Sequence, residues 1–301
     1  MKVVVAGGTG FIGTRLVTRL VGKGHDVVVL TRDASRSYVE IHPRARILSW
    51  AEGATAWRTE LDGAGAVVNL AGATIATRWT SKAKERIVKS RIRATEALFE
   101  AAEAAKARPA VLVNASGVGY YGPHGDEELT EESPAGADFL ARTCVAWEDA
   151  AKKHETLGMR VVRLRTGLVL GFDGGALPRI ALPFRFALGG KLGSGTQWMS
   201  WIHLDDLVDL YLLAIENGEA KGALNAAAPR PVQNIEFTKT LAKILHRPSF
   251  ASAPAGALKL LLGEMSTLLL DGQRAVPKRA LELGFRFRFE TLERALRDLL
   301  G

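Results

Sequence analysis

A glycine-rich segment near the start of the chain limits what this protein can fold into. The apolar residues 3–6 are followed by GGTGFIG, which places Gly7, Gly10 and Gly13 three residues apart, and a helical pattern then covers residues 12–21. In a strand–turn–helix unit with this spacing, the first glycine allows the tight turn and the second lets a pyrophosphate approach the backbone, while the third lets the helix pack on the strand. The free N–H groups at the helix start then face the phosphates. A purely structural turn is the alternative, but the apolar strand that follows the helix favours the dinucleotide site.

Apolar runs alternate with helical patterns through the first 170 residues. Runs without polar alternation are typical of parallel strands that helices cover on both faces. We therefore predict an α/β fold, a Rossmann-type doubly wound parallel sheet with a smaller, mostly helical C-terminal substrate lobe. The predicted strands are 3–6, 25–30, 66–72, 110–117, 159–171 and 224–229, and the predicted helices are 12–21, 82–106, 139–157 and one within 200–217.

The composition narrows the class of protein. With 301 residues, 47% of them hydrophobic, the chain can bury a full-sized core. A lone cysteine, Cys144, excludes an internal disulfide and a zinc cluster, and we expect a reducing compartment such as the cytoplasm. The apolar stretch at the N-terminus is too short for the hydrophobic part of a secretory leader peptide. No later apolar run is long enough for a membrane span. The net charge of +8 leaves nucleic acid, a membrane surface or a phosphorylated small molecule open as an anionic partner.

The end of the second strand bears on the choice of cofactor. A site specific for NAD usually presents an acidic residue to the ribose there, whereas this chain has Thr31, Arg32 and Asp33, with Arg36 close behind. Because a guanidinium binds phosphate with two charge-assisted hydrogen bonds, the pattern favours NADP(H) over NAD(H). A surface role for Arg32 is the alternative, and Asp33 keeps NAD(H) open.

Motifs along nearly the whole chain resemble the extended short-chain dehydrogenase/reductase superfamily, which includes nucleotide-sugar epimerases and dehydratases. GGTGFIG, NLAG, RLRTGLVLG and WIHLDDL match its pattern in order. More narrowly, RWT, SR, ASGVGYYG, FLARTCVAWE, GGALP, LGSGTQWMSWIHLDD and LGF are similar to the uncharacterised "epimerase family protein" branch, also labelled cell-division-inhibitor-like. That branch carries its own C-terminal helical segment. The resemblance implies a dinucleotide cofactor and a fold of the NAD-dependent epimerase/dehydratase type.

The resemblance also implies a division into lobes and a set of cofactor contacts. Residues 1–170, with 201–228 returning to them, form the expected NADP(H)-binding Rossmann domain, and 171–200 with 229–301 form the smaller substrate lobe. The residues expected to hold the cofactor are Gly7, Thr9, Gly10, Phe11, Ile12, Gly13, Thr31, Arg32, Arg36, Asn69, Leu70, Ala71, Gly72, Arg91 and Ser116.

The chain departs from the superfamily at the catalytic pair. Relatives use Tyr-x-x-x-Lys, in which the lysine lowers the pKa of the tyrosine so that it can pass a proton. Alignment on Glu148 places Leu140 at the tyrosine position and Cys144 at the lysine position. Leucine has no proton to give, and a thiol that is neutral near pH 7 cannot replace the cation. Catalysis by the usual pair is therefore excluded.

Three hydroxyl groups remain near the expected site. Ser116 lies at or next to the superfamily's serine after the fifth strand, and Tyr120 and Tyr121 follow it. Sites in such sheets form at the carboxyl ends of strands, so Ser116 is a candidate to bind a substrate carbonyl or hydroxyl, and either tyrosine is a candidate acid. The alternative is that Ser116 completes a turn and the tyrosines pack between the lobes.

A histidine beside two carboxylates offers a second choice between roles. His203, Asp205 and Asp206 could suggest a metal site or a proton relay. Relatives use this segment to tie the two lobes together, and we favour that role. No metal is expected.

The loop 189–197, GGKLGSGTQ, is the candidate for substrate binding. Its glycines permit close approach of the backbone, and Lys191, Ser194 and Gln197 supply polar groups where extended relatives hold the nucleotide end of a sugar substrate. A flexible surface loop is the alternative. The neighbouring Trp198 and Trp201 could line a ring-binding pocket, but core packing is the safer interpretation.

The densest charge feature is a run of seven basic residues between Arg78 and Arg93. Five of them share one helical face, which usually means a solvated surface. Aromatic residues do not alternate with these charges, so we expect no nucleic-acid partner, and no membrane partner either. A monomer or a homodimer is expected.

Together these features predict an NADP(H)-dependent oxidoreductase or epimerase-like enzyme, acting on a small polar substrate such as a nucleotide-linked one. The missing pair keeps a second hypothesis open, a non-catalytic NADPH-responsive regulator or scaffold.

Overall fold

The protein is represented by a computed structural model that describes residues 1–32, 41–51 and 55–301. The strands are β1 (Lys2–Ala6), β2 (Asp26–Thr31), β3 (Arg46–Ser49), β4 (Ala66–Asn69), β5 (Val111–Gly117), β6 (Glu128–Leu129), β7 (Arg160–Thr166), β8 (Leu168–Leu170), β9 (Gly190–Leu192), β10 (Trp198–Met199), β11 (Trp201–His203), β12 (Gly222–Ala226), β13 (Val232–Gln233), β14 (Ala251–Ala253) and β15 (Arg274–Ala275). The α-helices are α1 (Phe11–Gly22), α2 (Ser81–Ala104), α3 (Phe139–Lys152), α4 (Leu177–Arg185), α5 (Leu204–Glu216), α6 (Asn234–Leu245), α7 (Ala255–Leu262), α8 (Thr267–Leu270), α9 (Lys278–Glu282) and α10 (Leu292–Leu300).

Seven parallel strands form the central sheet in the order β12-β7-β5-β4-β1-β2-β3. The chain starts in the middle, at β1, and the strand order reverses between β1 and β4. In such sheets the carboxyl ends of the strands on either side of the reversal leave a crevice, where ligands bind. The predicted Rossmann-type doubly wound sheet is confirmed.

Successive residues of each central strand point to opposite faces, and both faces are covered. Val3 and Val5 of β1 pack in one apolar cluster with residues of α1 and α5. Val4 and Ala6 pack in a second cluster with residues of α2. This two-sided burial is the reason that the strands read as continuous apolar runs rather than alternating ones.

A third apolar cluster is built from α4, α6 and α10 around Trp201 of β11 and Leu170 of β8. It forms the core of the mostly helical part of the chain beyond the sheet. β12 leaves this part and pairs with β7, with Leu224 opposite Leu164. The boundaries of the two lobes stay a prediction.

Within the central sheet, the structure differs most from the sequence prediction at two strands. The predicted strand 159–171 is interrupted at Gly167, where an added methyl group would lie 2.3 Å from the carbonyl oxygen of Ser200. The chain turns there, and β8 leaves the sheet to pair with β11. The edge strand β3 was not predicted, because its four residues are only half-buried or exposed and carry no distinct apolar run.

His154 is buried in a short 3-10 helix after α3, packed edge-on against Phe99 with ring centroids 5.3 Å apart. Burial lowers the pKa of His154 to about 4, although Nδ1 lies 3.0 Å from the carbonyl oxygen of Ala151. Because the unfolded chain takes up this proton near pH 6.5, the folded state loses about 3 kcal/mol of stability as the pH falls from 6.5 to 4. Urea unfolding between pH 6.5 and pH 4 should therefore show that the free energy of unfolding falls more steeply with decreasing pH in the natural protein than in His154→Leu. An identical slope for His154→Leu and the natural protein would contradict the assignment.

Candidate functional site

The glycine turn lies at the carboxyl end of β1, and two of its glycines, Gly7 and Gly13, leave no room for a side chain. Gly7 has φ +76°, and a methyl group there would lie 2.9 Å from the carbonyl carbon of Leu70. At Gly13 a methyl group would lie 2.6 Å from the carbonyl oxygen of Gly7, so the first turn of α1 packs directly on the turn before it. The cap residue Gly10 contributes no side-chain hydrogen bond, and the first turn of α1 contains no acidic residue. The start of α1 thus remains suited to phosphate, and the turn fits a dinucleotide.

The strand ends that flank the turn are joined to it by backbone hydrogen bonds. The N–H of Gly7 donates to the carbonyl of Leu30 at 3.0 Å, and the N–H of Leu70 donates to the carbonyl of Ala6 at 2.8 Å. Three of the predicted cofactor segments therefore meet at one point of the sheet edge.

Asn69 organises the segment after β4 through a buried network. Its Nδ2 donates to Thr95 Oγ1 at 2.9 Å and to Asn114 Oδ1 at 2.7 Å, and its Oδ1 accepts the N–H of Ala71 at 3.1 Å. The side chain of Asn69 is thus occupied inside the protein, and the backbone of Leu70 lies directly against the glycine turn at Gly7.

Arg91 lies against the same segment. A methyl group at Gly72 would lie 3.1 Å from Arg91 Cζ, so glycine makes room for the guanidinium. Arg91 Nη1 donates to the carbonyls of Ala73 and Ile87, both at 3.0 Å, and the guanidinium stacks over the Trp147 ring at 5.0 Å. Burial lowers the pKa of Arg91 from its usual value. The predicted cofactor contact of Arg91 is thus placed beside Gly72 with part of its hydrogen-bonding capacity in use.

The residues proposed to distinguish NADP(H) from NAD(H) follow β2. Thr31 is buried with Oγ1 3.4 Å from Thr9 Oγ1, which joins the end of β2 to the glycine turn. Arg32 is exposed directly beyond it. Asp33 and Arg36 lie outside the described residues.

Leu140 and Cys144, at the positions where the sequence analysis predicts that the catalytic pair is replaced, are packed against neighbouring segments. A methyl group at Gly119 would lie 3.2 Å from Leu140 Cβ, which shows how closely the leucine approaches the loop after β5. Cys144 is 9% exposed. Burial, and secondarily the charge of Glu148, raise the pKa of Cys144 to about 11. The thiol is therefore neutral at pH 7, as expected from the sequence.

A buried ion pair of Glu148 and Arg165 lies close to Cys144. The Glu148 carboxylate accepts hydrogen bonds from Arg165 Nε at 2.8 Å and Arg165 Nη2 at 3.0 Å, and from Arg163 Nη1 at 3.2 Å. Ser116 Oγ donates to Glu148 Oε1 at 2.8 Å. Glu148 and Arg165 are 1% and 3% exposed, and although burial lowers the pKa of Arg165, its bonds to Glu148 raise the pKa further.

Tyr120 and Tyr121 both contact Arg165. Tyr121 is fully buried; its hydroxyl donates to Asn225 Oδ1 at 2.6 Å and accepts from Arg165 Nη1 at 3.1 Å. Burial raises the pKa of Tyr121 to about 12. The half-buried Tyr120 places its ring 3.4 Å from Arg165 Cζ. The three candidate catalytic residues are thus brought together, but the hydroxyls of Ser116 and Tyr121 are committed to this network.

Arg165, Asn225 and Glu131 complete the network, and no role for them was predicted from the sequence. Glu131 Oε1 accepts the N–H of Asn225 at 2.8 Å, and burial raises the pKa of Glu131. The sequence feature that could have predicted this network is RLRT, in which Arg163 and Arg165 interrupt a strand that is otherwise apolar. A charged side chain in a buried strand requires a partner of opposite charge. The two arginines therefore indicated a carboxylate inside the protein.

Two of the three candidate substrate residues line a cavity of about 410 Å³ between the loop after β5 and the second lobe. Ser194 and Gln197 are among its lining residues. Lys191 is not; its ammonium donates to the carbonyl of Ser194 at 3.2 Å. Trp198 also lines the cavity and donates from Nε1 to Asp126 Oδ1 at 2.7 Å. Trp201 is fully buried in the core, as the packing interpretation expects.

His203 and Asp206 attach the C-terminal segment to the rest of the fold. His203 Nδ1 accepts the N–H of Asp205 at the start of α5, and its ring stacks on Phe289 at 3.8 Å. Asp206 accepts the N–H groups of Arg288 and Phe289 at 2.9 and 3.0 Å. These contacts support the lobe-linking interpretation, and His203 Nε2 also lies 3.3 Å from Asp298 Oδ2 of α10.

The basic run is largely solvated. Arg78, Lys82, Arg86, Lys89 and Arg93 are all exposed, and Lys89 pairs with Glu85 on the same helix. In the part of the chain that the structure describes, no helix is both long and apolar enough to cross a bilayer.

The glycine turn, the crevice and the surrounding strand ends define a Rossmann-type protein whose glycine turn fits a dinucleotide. Residues 3–227 match the model of the NAD dependent epimerase/dehydratase family, and residues 253–299 match a domain of unknown function, DUF1731. The chain belongs to the NAD dependent epimerase/dehydratase family. The C-terminal match confirms the expectation of a family-specific segment.

Relatives along the full length agree with this assignment. An epimerase family protein of Staphylococcus saprophyticus is 43% identical, covering 99% of this chain and 98% of the relative. The chloroplastic SDR39U1 homolog of Arabidopsis thaliana, also an epimerase family protein, is 45% identical, covering 100% of this chain and 87% of the relative. The crystal structure of human epimerase family protein SDR39U1 (isoform 2) with NADPH has a TM-score of 0.88 and 35% identity, covering 100% of this chain and 99% of that chain.

Proposed function

We propose that this chain binds NADP(H) in the crevice and acts as an oxidoreductase or epimerase-like enzyme on a small polar substrate, without a tyrosine–lysine pair. The observation that carries the proposal is the uncapped glycine turn, with exposed Arg32 beyond the neighbouring strand. The human relative that was crystallised with NADPH supports it. When bound, the nicotinamide would supply or accept a hydride.

Each part of the crevice has a proposed task in holding the cofactor. The N–H groups at the start of α1 bind the pyrophosphate, the backbone of residues 70–72 borders the cofactor, and Arg32 binds the 2′-phosphate. Arg91 supports the loop at Gly72 from behind. The cofactor contacts predicted for Thr9, Phe11, Ile12, Thr31, Arg36, Asn69, Arg91 and Ser116 stay predictions.

Replacing Arg32 tests the choice of cofactor. In Arg32→Asp the charge-assisted bonds to the 2′-phosphate are lost and replaced by repulsion, so NADPH affinity should fall by roughly 10- to 100-fold with little change for NADH. Both affinities can be measured by isothermal titration calorimetry. Arg297→Asp, which alters an exposed arginine paired with Glu293 on α10, is the matched control. Equal weakening of NADPH and NADH by Arg32→Asp would contradict the proposal.

The proton needed in such a reaction has one remaining candidate among the predicted residues. Ser116 directs its hydrogen to Glu148, and Tyr121 directs its own to Asn225. We therefore assign the role of the general acid to Tyr120, whose ring lies 3.4 Å from Arg165 Cζ. Ser116 is left with lone pairs, so it can accept a hydrogen bond from a substrate hydroxyl.

A non-catalytic, NADPH-responsive regulator is the second candidate, and the committed hydroxyls beside Leu140 and Cys144 favour it. The two candidates are separated by NADPH oxidation assays with panels of carbonyl compounds and sugar nucleotides. Turnover that survives stringent purification and is lost in Tyr120→Phe supports the enzyme. NADPH binding with no turnover across the panels supports the regulator. The cytoplasmic location and the monomeric or homodimeric state stay predictions.

A further inference from the structure

We propose that Arg91 binds a negatively charged oxygen group of the substrate, a carboxylate or a phosphate, and so supplies the positive charge that the chain lacks at Cys144. Because Arg91 would act on the substrate of the same crevice, this inference rests on the proposed function. It assigns Arg91 to the substrate instead of the cofactor contact predicted from the sequence.

The guanidinium of Arg91 is held in place by the protein on several sides. Its Cζ lies 5.0 Å from the centroid of the Trp147 ring, and a methyl group at Gly72 would be 3.1 Å from the same atom. Nη1 donates to the carbonyls of Ala73 and Ile87, both at 3.0 Å, which uses both of its hydrogens. The guanidinium is therefore oriented before a ligand arrives, which lowers the entropy that binding costs.

The remaining edge of the guanidinium, formed by Nε and Nη2, is free. Among the described residues neither atom has a hydrogen-bond partner, and neither belongs to the unpaired polar atoms that the protein seals from solvent. The Nε hydrogen and one Nη2 hydrogen are parallel, and their spacing matches two oxygens of a carboxylate or of a phosphate. The free edge of Arg91 thus has the geometry of a bidentate oxyanion site.

The positive charge of Arg91 has no counter-ion in the described part of the chain. No aspartate or glutamate there contributes to its pKa, which burial lowers from the usual value without neutralising an arginine at pH 7. Glu148, the buried carboxylate of α3, is used by Arg163 and Arg165. A partly buried cation without an anion costs free energy, and a ligand that brings the anion recovers it.

Arg91 lies between the ends of two neighbouring strands. Gly72 follows β4, and at the end of β5 a methyl group at Gly117 would be 3.8 Å from Cys144 Sγ. Arg91 and Cys144 are close enough that the charge of each shifts the pKa of the other. Since Cys144 stands where the catalytic lysine is expected, Arg91 brings a cation from α2 to the place that α3 leaves neutral. This location, away from the start of α1 where the pyrophosphate is expected, favours the substrate as the source of the anion.

Two pairs of small probes test the proposal: lactate against its neutral counterpart lactamide, and glycerol 3-phosphate against glycerol. Their binding to NADPH-saturated protein is measured by NMR titration at pH 7. We expect the anion of at least one pair to bind at least about tenfold more tightly than its neutral counterpart, because it accepts two charge-assisted hydrogen bonds. The pair that shows this preference identifies the anion as a carboxylate or a phosphate.

Three variants connect the preference to the free edge of Arg91. Arg91→Gln should abolish the preference, because the charge and the parallel donors are lost. Arg93→Gln, at an exposed arginine two residues further along α2, is the matched control and should keep it. Arg91→Lys retains the charge without the parallel donors and should reduce the preference. If thermal unfolding shows that Arg91→Gln does not fold, Arg91→Lys decides.

The affinity for NADPH, measured first by calorimetry, separates this inference from the proposed function. No NADPH binding by the natural protein would contradict the proposed function, and the probe titrations, which need no turnover, would still decide on Arg91. The proposal for Arg91 is overturned if neither anion is preferred, or if the preference is unchanged in the folded Arg91 variants. It is also overturned if Arg91→Gln weakens NADPH by about tenfold or more, because the free edge then belongs to the cofactor.

Discussion

Gly13→Ala is expected to abolish most NADPH binding and to destabilise the fold. The added methyl group would lie 2.6 Å from both the carbonyl oxygen of Gly7 and the Cα of Gly8. Both neighbours are backbone atoms, so α1 must move away from the turn instead of a side chain rotating aside. Overpacking of this kind costs about 1–3 kcal/mol, and the displaced helix start should lower NADPH affinity by about 100-fold. Thermal unfolding and calorimetric titration measure the two effects.

Two other glycines of the same segment provide the controls. At Gly10, where φ is −82°, a methyl group would lie 3.4 Å from the Gly7 carbonyl oxygen, which is an ordinary contact. Gly10→Ala should therefore keep its stability but lose NADPH affinity, because the methyl group occupies the space where the pyrophosphate approaches. Gly22 has no neighbour within 4 Å of an added methyl group, and Gly22→Ala at the end of α1 should keep both properties. Normal NADPH binding by Gly13→Ala would contradict the assignment of the turn.

Local patterns were sufficient for the sheet and the turn because the forces that set them are local. Burial on both faces produces continuous apolar strands, and glycine is required at Gly7 and Gly13 because each packs directly against neighbouring backbone. The edge strand β3 was not predicted because its half-exposed positions do not require apolar residues, so the strand has no apolar pattern in the sequence. The break at Gly167 escaped because its cause, the Ser200 carbonyl, lies more than thirty residues away in the chain.

The candidate site was harder to predict for the same reason. Ser116, Tyr120 and Tyr121 could be found from their position after a strand, but the use of their hydroxyls depends on partners from distant segments. Arg165 comes from β7, and Asn225 from β12. A sequence pattern identifies a hydroxyl near a crevice, whereas only the packed structure shows whether its hydrogen is free.

Glu148→Ala is expected to cost about 3–5 kcal/mol of folding free energy, a larger loss than Gly13→Ala should produce. The carboxylate satisfies Arg165 through two hydrogen bonds and also accepts from Arg163 and Ser116. Its removal leaves the 3% exposed Arg165 as a charge without its counter-ion, far from compensating water. Denaturant unfolding should show the loss as a lower midpoint.

The double variant Glu148→Met with Arg165→Met distinguishes a pairing effect from a simple packing defect. If the penalty comes from the unpaired charge, removing both charges should restore much of the stability, since well-packed apolar residues replace buried ion pairs at little cost. The exposed pair of Asp149 and Lys152 on the same helix is the matched control, and Asp149→Ala should cost less than about 1 kcal/mol. A loss in Glu148→Ala no larger than that of Asp149→Ala would mean that Arg165 finds another partner. In that case the pair of Glu148 and Arg165 would contribute no more to stability than an exposed ion pair does.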